Sequence, residues 1–207
     1  MEIKYEWRKK EKKYYLPKAK PEIVDIKEFK FIQLKGEWNP NNEEFSEAIG
    51  VLYSLAYAIK MMPRNGIDID DYYDYVVYPL EGLWDLKEEA RGNEILDKNK
   101  LVYTIMIRQP DFVTEEVFNK AIEIVKKKKP HSLLDNVKFE SIEEGKCVQM
   151  MHIGSFDEED KTFEVMKNYC NDNNLEIKSK VHREIYISDF RKTAKDKLKT
   201  VLRYMVR

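Results

Sequence analysis

Hydrophobic positions along this chain switch between two periods, and the switches mark out its elements. In residues 22–35, Phe29 and Phe31 take one face of an extended segment and Ile32 and Leu34 take the other. Apolar residues on both faces predict a covered strand pair or one bent strand. Asn41 or Asn42 then caps a helix whose first turn holds Glu43 and Glu44. The helix runs to about Met62 and stops at the Pro-Arg-Asn-Gly of residues 63–66. Phe45, Ala48, Ile49, Leu52, Ala56 and Ile59 form its stripe, and Val51, Tyr53, Leu55, Tyr57, Met61 and Met62 widen it almost all round. A helix so apolar is deeply covered or lines a cavity.

A strand over residues 74–84 follows, with Pro79 able to bulge it. Residues 85–100 read as a charged loop with a turn at Gly92-Asn93, and the β-branched run 101–107 reads as a strand. Thr114 starts an amphipathic helix over 114–128, whose lysine-rich end suits the negative pole of the helix dipole. Residues 137–142 and 147–153 flank Glu143-Glu144-Gly145-Lys146, which predicts a hairpin or a bulged bend. Gly154 leads into a helix carrying Phe163, Met166, Tyr169 and Cys170, ended by residues 171–174. The next strand alternates: Leu175, Ile177, Val181, Ile185 and Ile187 on one face, His182, Glu184 and Tyr186 on the other. Residues 198–206 form the last strand.

The order strand, glycine-marked loop, helix, Glu-bearing strand, strand thus occurs twice. Gly36 precedes the first helix and Gly154 the second. The predicted fold class is α+β. Two β-α-β-β units side by side form one antiparallel sheet, with helices on one face. The first half covers about 22–108, the linker helix 114–128 and the second half about 136–206. Together they make one domain over 22–207 behind an N-terminal arm at 1–21. The aliphatic face of the last Glu strand is predicted to meet the helices.

Composition narrows the partners. The 37 basic and 38 acidic side chains leave a net charge of -1, which argues for neither nucleic acid nor membrane as a partner. Arm residues Arg8, Lys9 and Lys10 could suggest a nucleic-acid arm, but Glu2, Glu6 and Glu11 interrupt the charge. Packing of Trp7, Tyr14 and Tyr15 on the domain is the favoured reading. No stretch approaches the roughly 20 apolar residues of a membrane helix, and Met1 to Tyr5 is no signal peptide. Cys147 and Cys170 form no CxxC pair, so no zinc or redox motif is supported. These features predict a cytoplasmic protein with reduced thiols and no metal or cofactor. The 13 tyrosines and 8 methionines suit an aromatic core first and a pocket for flat ligands second.

Two glutamates carry the candidate chemistry. Glu81 stands in Val77-Tyr78-Pro79-Leu80-Glu81-Gly82-Leu83-Trp84, and Glu184 in Val181-His182-Arg183-Glu184-Ile185-Tyr186-Ile187. A half-buried carboxylate is costly unless it is paired, protonated or offered a cation. The two are expected to face a shared pocket. The plain alternative for Glu81 is an ion pair with Arg108 or a lysine. Trp84 is otherwise a core residue, and His152 a hydrogen-bonded one.

The run YPLEGLW at 78–84 is the most specific of several shared features. The others are Pro17-Lys18-Ala19-Lys20-Pro21, Asn39-Pro40-Asn41, Phe45 with Leu52-Tyr53, Tyr57-Ala58-Ile59-Lys60 and Glu184-Ile185-Tyr186. Together they resemble the stand-alone GyrI-like small-molecule-binding proteins of the GyrI/SOUL superfamily, over nearly the whole chain. The resemblance implies a pseudo-twofold pair of β-α-β-β units with a ligand cleft between the halves, and a Glu184 that meets cationic, aromatic compounds. One stand-alone branch opens the strained ring of cyclopropanoid genotoxins related to yatakemycin. Glu37-Trp38 replaces the family's usual Gly-x-Gly, so Trp38 is expected to narrow or cap the pocket. Some SOUL relatives bind haem, and His182 beside Glu184 is weak support for that here.

Adding water to an activated cyclopropane needs a base, a donor for the forming oxyanion and aromatic walls. Glu184 is assigned as the principal carboxylate, with Glu81 facing it and Tyr78 as a catalytic donor. Trp84 and Tyr186 are walls or donors, and Trp38, Tyr53, Tyr57, Met106, Met150 and His152 are lining. The alternatives are a non-catalytic sensing or sequestering module and a gyrase-inhibitor-like interaction protein.

Overall fold

The computed structural model describes residues 4–37, 39–90 and 97–207. In chain order the elements are α1 (Trp7–Lys10), α2 (Lys12–Tyr15), β1 (Glu22–Ile26), β2 (Phe29–Gly36) and α3 (Glu43–Met61). Then come β3 (Leu80–Leu86), β4 (Leu101–Gln109), α4 (Glu115–Lys128), β5 (Lys138–Ile142) and β6 (Gly145–Ile153). The last are α5 (Glu159–Asp172), β7 (His182–Tyr186) and β8 (Lys199–Met205). Helix and strand mix as α+β, and the named strands pair antiparallel. The segments β2-α3-β3-β4 and β6-α5-β7-β8 repeat the expected β-α-β-β order.

The chain resolves into two compact units that exchange segments along the sequence. The first holds Met1–Glu6, Phe29–Tyr78 and Leu86–Ile142; the second holds Trp7–Glu28, Pro79–Asp85 and Glu143–Arg207.

In the first unit, β2 lies between β4 and β5. Both of its faces are buried, as its two-sided apolar pattern requires. Ile32, Ile105 and Ile107 fill one face with no exposed surface. Phe118 of α4 stacks on Phe139 of β5 at 5.6 Å, and Phe45 of α3 meets Tyr103 edge-on at 5.1 Å. Gly36 gives Tyr103 its room, because a Cβ there would come within 2.7 Å of the ring. Thr114 caps α4 by accepting from the Val117 N–H. Asn42 occupies the N-cap position of α3 without a side-chain bond.

In the second unit the strand order is β1-β6-β8-β7-β3. α5 covers one face, where Val148, Phe163, Met166, Cys170, Leu202, Tyr204 and Val206 form the core. The arm is tied to this unit: Trp7, Tyr14 and Tyr15 are buried, and Met151 N–H donates to the Lys18 carbonyl.

Several expectations shift. The strand foreseen at 74–84 begins only at Leu80. Before it, Tyr75 makes just an isolated bridge with Tyr5. Residues 137–153 form no hairpin: β5 pairs with β2, and β6 with β1 and β8. The long alternating strand is regular only at His182–Tyr186, with Ile177 bridging Val206. The Gly92-Asn93 turn lies outside the described residues.

Candidate functional site

β7 has its two faces set by strand parity. Its register pairs Glu184 with Gly82 and Leu202, and Arg183 with Leu83 and Arg203. His182, Glu184 and Tyr186 therefore share a face with Gly82 and Trp84, while Arg183 and Ile185 share the other with Glu81. The Glu184 face is the one that α5 covers, since Phe163 packs on His182 at 4.6 Å. This reverses the expected orientation. Glu81 and Glu184 also stand on opposite faces, so they do not face a shared pocket.

On the α5 face, Glu184 is 8% exposed and sits in a hydrogen-bonded chain. Trp84 Nε1–H donates to Tyr186 Oη at 2.8 Å, and Tyr186 O–H donates to Glu184 Oε2 at 2.7 Å. His182 Nε2 lies 3.1 Å from Glu184 Oε1. Gly82, directly opposite Glu184, makes this chain possible. A Cβ there would meet Trp84 Nε1 at 2.7 Å and Tyr186 Oη at 3.3 Å. Burial first, and then the Glu184 charge, push the Tyr186 phenol well up, so its proton stays in the bond to Glu184.

Glu159 is the member that sequence reasoning missed. It is the first residue of α5 and reads as an ordinary helix-start carboxylate. Folded, it is 7% exposed, and its Oε1 is buried without a hydrogen-bond partner. Burial raises its pKa most, and the Glu184 charge raises it next, up to about 10. Among the described residues no lysine or arginine is ion-paired with either carboxyl. Beside this group, Phe156 meets Tyr186 edge-on at 5.8 Å and Phe190 at 6.2 Å, and both phenylalanines are exposed.

The opposite face holds a closed charge network. Arg183 binds Glu81 Oε2 through Nη1 and Glu144 Oε1 through Nε, both at 2.8 Å. Arg203 binds Glu144 Oε2 at 3.1 Å, Gln149 Oε1 at 2.9 Å and the Tyr14 carbonyl at 2.9 Å. Burial tends to raise Glu144, but Arg183 and Arg203 outweigh it and hold the carboxyl low. Burial prevails at Glu81 and lifts it against the pull of Arg183. The nearby Cys147 thiol is pushed up to about 12, by burial first and Glu144 next. The cation at Glu81 is thus Arg183, and the carboxylate has no open side for a ligand.

The remaining candidates scatter. His152 is buried and held by Thr162 Oγ1 at 2.8 Å and by the Ser155 carbonyl at 3.0 Å. Met150 packs against the α5 core. Tyr53, Tyr57, Tyr78 and Met106 belong to the first unit. There the Tyr53 and Tyr57 rings lie 6.4 Å apart and tilted, Met106 is fully buried, and Tyr78 lies 4.6 Å beneath the Arg108 guanidinium. Trp38 lies outside the described residues. Among those described, no cluster of His, Cys, Asp and Glu has metal-binding geometry, and no helix is long and apolar enough to cross a membrane.

The comparison that decides the family is a match of residues 19–207 to the GyrI-like small molecule binding domain. The chain belongs to the GyrI-like family. A hydrolase from Listeria innocua is similar at 40% identity and a TM-score of 0.90, over 99% of this chain and 100% of that one. An uncharacterized conserved protein from the same organism is 42% identical at a TM-score of 0.91, over the same shares. The EcmrR C-terminal domain shares the fold alone, at 14% identity and a TM-score of 0.51, over 91% of this chain and 97% of that one. No curated protein matches the chain significantly.

Proposed function

We propose that this GyrI-like protein binds flat aromatic small molecules against Glu184, Tyr186 and Trp84, and hydrolyses electrophilic cyclopropanoid compounds there. The observation that carries the reading is a buried carboxylate with no lysine or arginine partner, held by a phenol and an imidazole and flanked by exposed aromatic rings. Such a carboxylate is poised to deprotonate a water or to meet a cation. The likeness to a Listeria innocua hydrolase over almost the full chain supports turnover as well as binding. In the reaction, water attacks the cyclopropane methylene and the ring bond breaks toward the conjugated carbonyl. Glu184 takes the water proton, and the carbonyl oxygen gains one from solvent to give a phenol. Trp84 and Tyr186 hold the flat substrate in place.

The test is incubation with a yatakemycin-type compound, followed by mass detection of a single-water adduct. Turnover is expected to fall roughly 10²–10⁴-fold in Glu184→Gln, the range usual for a lost general base. An unchanged rate in folded Glu184→Gln protein would refute the assignment.

A further inference from the structure

We propose that Phe156 and Phe190 form an aromatic rail beside Tyr186, and that they select extended ligands built from two or more linked flat units. The proposal rests on the reading of Glu184, Tyr186 and Trp84 as the ligand site. It deepens that reading by naming the substrate class and the residues that set it.

The chain has nine phenylalanines, and all but two are buried or half-buried. Phe156 and Phe190 are the two left exposed, at 38% and 39%. A single exposed apolar residue is ordinary, but these two touch although they lie far apart in sequence. Their ring centroids are 6.2 Å apart and their planes cross at 69°. Phe156 also meets Tyr186, at 5.8 Å and 85°. The three rings thus run outward from the Glu184 carboxylate, whose Oε2 accepts from the Tyr186 hydroxyl at 2.7 Å. An edge-on contact covers at most one ring face of each pair. The exposed row therefore keeps open faces on which a flat molecule can stack.

Both rings stand on turns that hydrogen bonds hold in place. The Gly154 N–H donates to the Leu198 carbonyl at 3.0 Å and so joins the bases of the two turns. Gly154 holds φ at 141°, where a side chain would be strained. On the Phe156 side, His152 Nε2–H donates to the Ser155 carbonyl at 3.0 Å, and Ser155 Oγ accepts from the Asp157 N–H at 3.3 Å. On the Phe190 side, the Asp189 carboxylate accepts from the Arg191 N–H at 3.1 Å. The Asp189 carbonyl accepts from the N–H groups of Lys192 and Thr193, both at 3.0 Å. Rings fixed before binding leave little ordering entropy for a ligand to offset.

The length of the row sets the ligand class. A bicyclic ring system beside Tyr186 covers the first step of 5.8 Å, and the second step of 6.2 Å to Phe190 needs a further flat unit. Contact with that outer unit holds the inner one against Glu184. Binding energy gained away from the reacting centre then serves the reaction there.

The test uses the full chain and two fluorescent probes. Pibenzimol carries two linked benzimidazoles and a phenol, and para-hydroxyphenylbenzimidazole is its single-unit fragment. Dissociation constants are measured for both. Pibenzimol should bind the unaltered protein more tightly than the fragment does. Phe190→Ala should weaken pibenzimol by about fivefold or more, the lower end of what one aromatic stacking partner contributes, and leave the fragment within about twofold. Phe156→Ala should weaken both, because Phe156 touches Tyr186. Phe190→Tyr keeps the ring and should bind pibenzimol as the unaltered protein does, whereas Phe190→Leu keeps apolar bulk without a flat face and should lose affinity as Ala does. Every substitution exchanges uncharged side chains, so the charge of the dye cancels in the comparison. Equal affinities of the two probes in the unaltered protein, no binding of pibenzimol, an unchanged pibenzimol constant in Phe190→Ala, an equal loss for the fragment, or a Phe190→Tyr variant as weak as Phe190→Ala would each overturn the rail. Failure of the hydrolase reading shows separately, as no water adduct from the unaltered protein while the selective loss in Phe190→Ala stands.

Discussion

The two faces of the β3–β7 pair bury carboxylates in the same few residues of sequence and treat them in opposite ways. On one face, Glu81 and Glu144 are met by Arg183 and Arg203, and two negative charges are balanced by two positive ones. On the other, Glu184 meets a phenol and an imidazole, and its charge helps to raise the pKa of the buried Glu159. Burial alone therefore does not mark a functional acid. What separates the faces is whether the protein supplies the counter-charge itself or leaves it to a proton or a ligand.

The sharpest way to break this comparison is to remove a cation from the closed face. Arg183→Leu would strand Glu81 and half of Glu144 in a fully buried place. Loss of one partner of a buried ion pair costs about 3–5 kcal/mol, so the variant should unfold at much lower urea or fail to fold. A stability within 1 kcal/mol or so of the unaltered protein, by the same criterion, would show that the network is relaxed by water and that Glu81 is reachable.

The same chemical change on each face gives the next largest contrast. Glu81→Gln breaks a charge-assisted bond to Arg183 and should cost about 1.5–3 kcal/mol, with ligand binding intact. Glu184→Gln keeps a hydrogen-bonding side chain beside Tyr186 and should change stability little while lowering turnover roughly 10²–10⁴-fold. Urea midpoints and adduct formation on both variants make a crossed test. Equal loss of turnover in both would erase the distinction between the faces.

How much of this was legible in the sequence follows from what each signal depends on. Element order was legible because it rests on local period: α3, α4, α5 and β8 lie where their apolar stripes put them. Glu184 and Tyr186 were legible as neighbours from parity within one short run, and Trp84 only as a wall candidate in the run that holds Glu81. The pairing of Glu81 with Glu184 was not, because one residue of register decides the face. Gly82 rather than Glu81 falls opposite Glu184, and Arg183 marks the other face with a buried charge that a reading of aliphatic residues passed over. Glu159 carries no local mark at all. Its role appears only when α5 places its first turn over β7, although an acidic residue leading an amphipathic helix toward a Glu-bearing strand was a usable hint.

A smaller effect is expected at Gly82. The Cβ of Gly82→Ala would stand 2.7 Å from Trp84 Nε1, so the indole must move and its bond to Tyr186 must lengthen. Overpacking of this kind costs about 1–2 kcal/mol. Trp84 fluorescence and its quenching by flat aromatic ligands should change, while the Arg183 network stays intact. Unaltered quenching with unaltered stability would mean that the Trp84–Tyr186–Glu184 chain does not set the site.

The last expected effect is a slope with pH, and it bears most directly on the open face. Glu159 has its folded pKa raised to about 10, by burial first and Glu184 second, while an unfolded glutamate ionises near about 4.3. Between those values the native state holds a proton that the unfolded state has released. Stability therefore falls as pH rises through this window; below the unfolded value the contribution is fully present. The fall is at most about 1.4 kcal/mol per pH unit for one proton. Gln in place of Glu159 mimics the protonated acid and cannot ionise. Glu159→Gln should thus be more stable than the unaltered protein from neutral pH upward, with a gap that widens as pH rises. On the closed face, Glu144 has its pKa held low by Arg183 and Arg203 and contributes the opposite slope, present above the unfolded value and lost as pH falls through the folded one. Urea unfolding of Glu159→Gln and of the unaltered protein across the neutral and alkaline range measures the first slope cleanly, because Glu144 is fully ionised there in both. Parallel curves would show that Glu159 ionises at an ordinary pH, and the contrast between a self-balanced face and a proton-balanced one would then be lost.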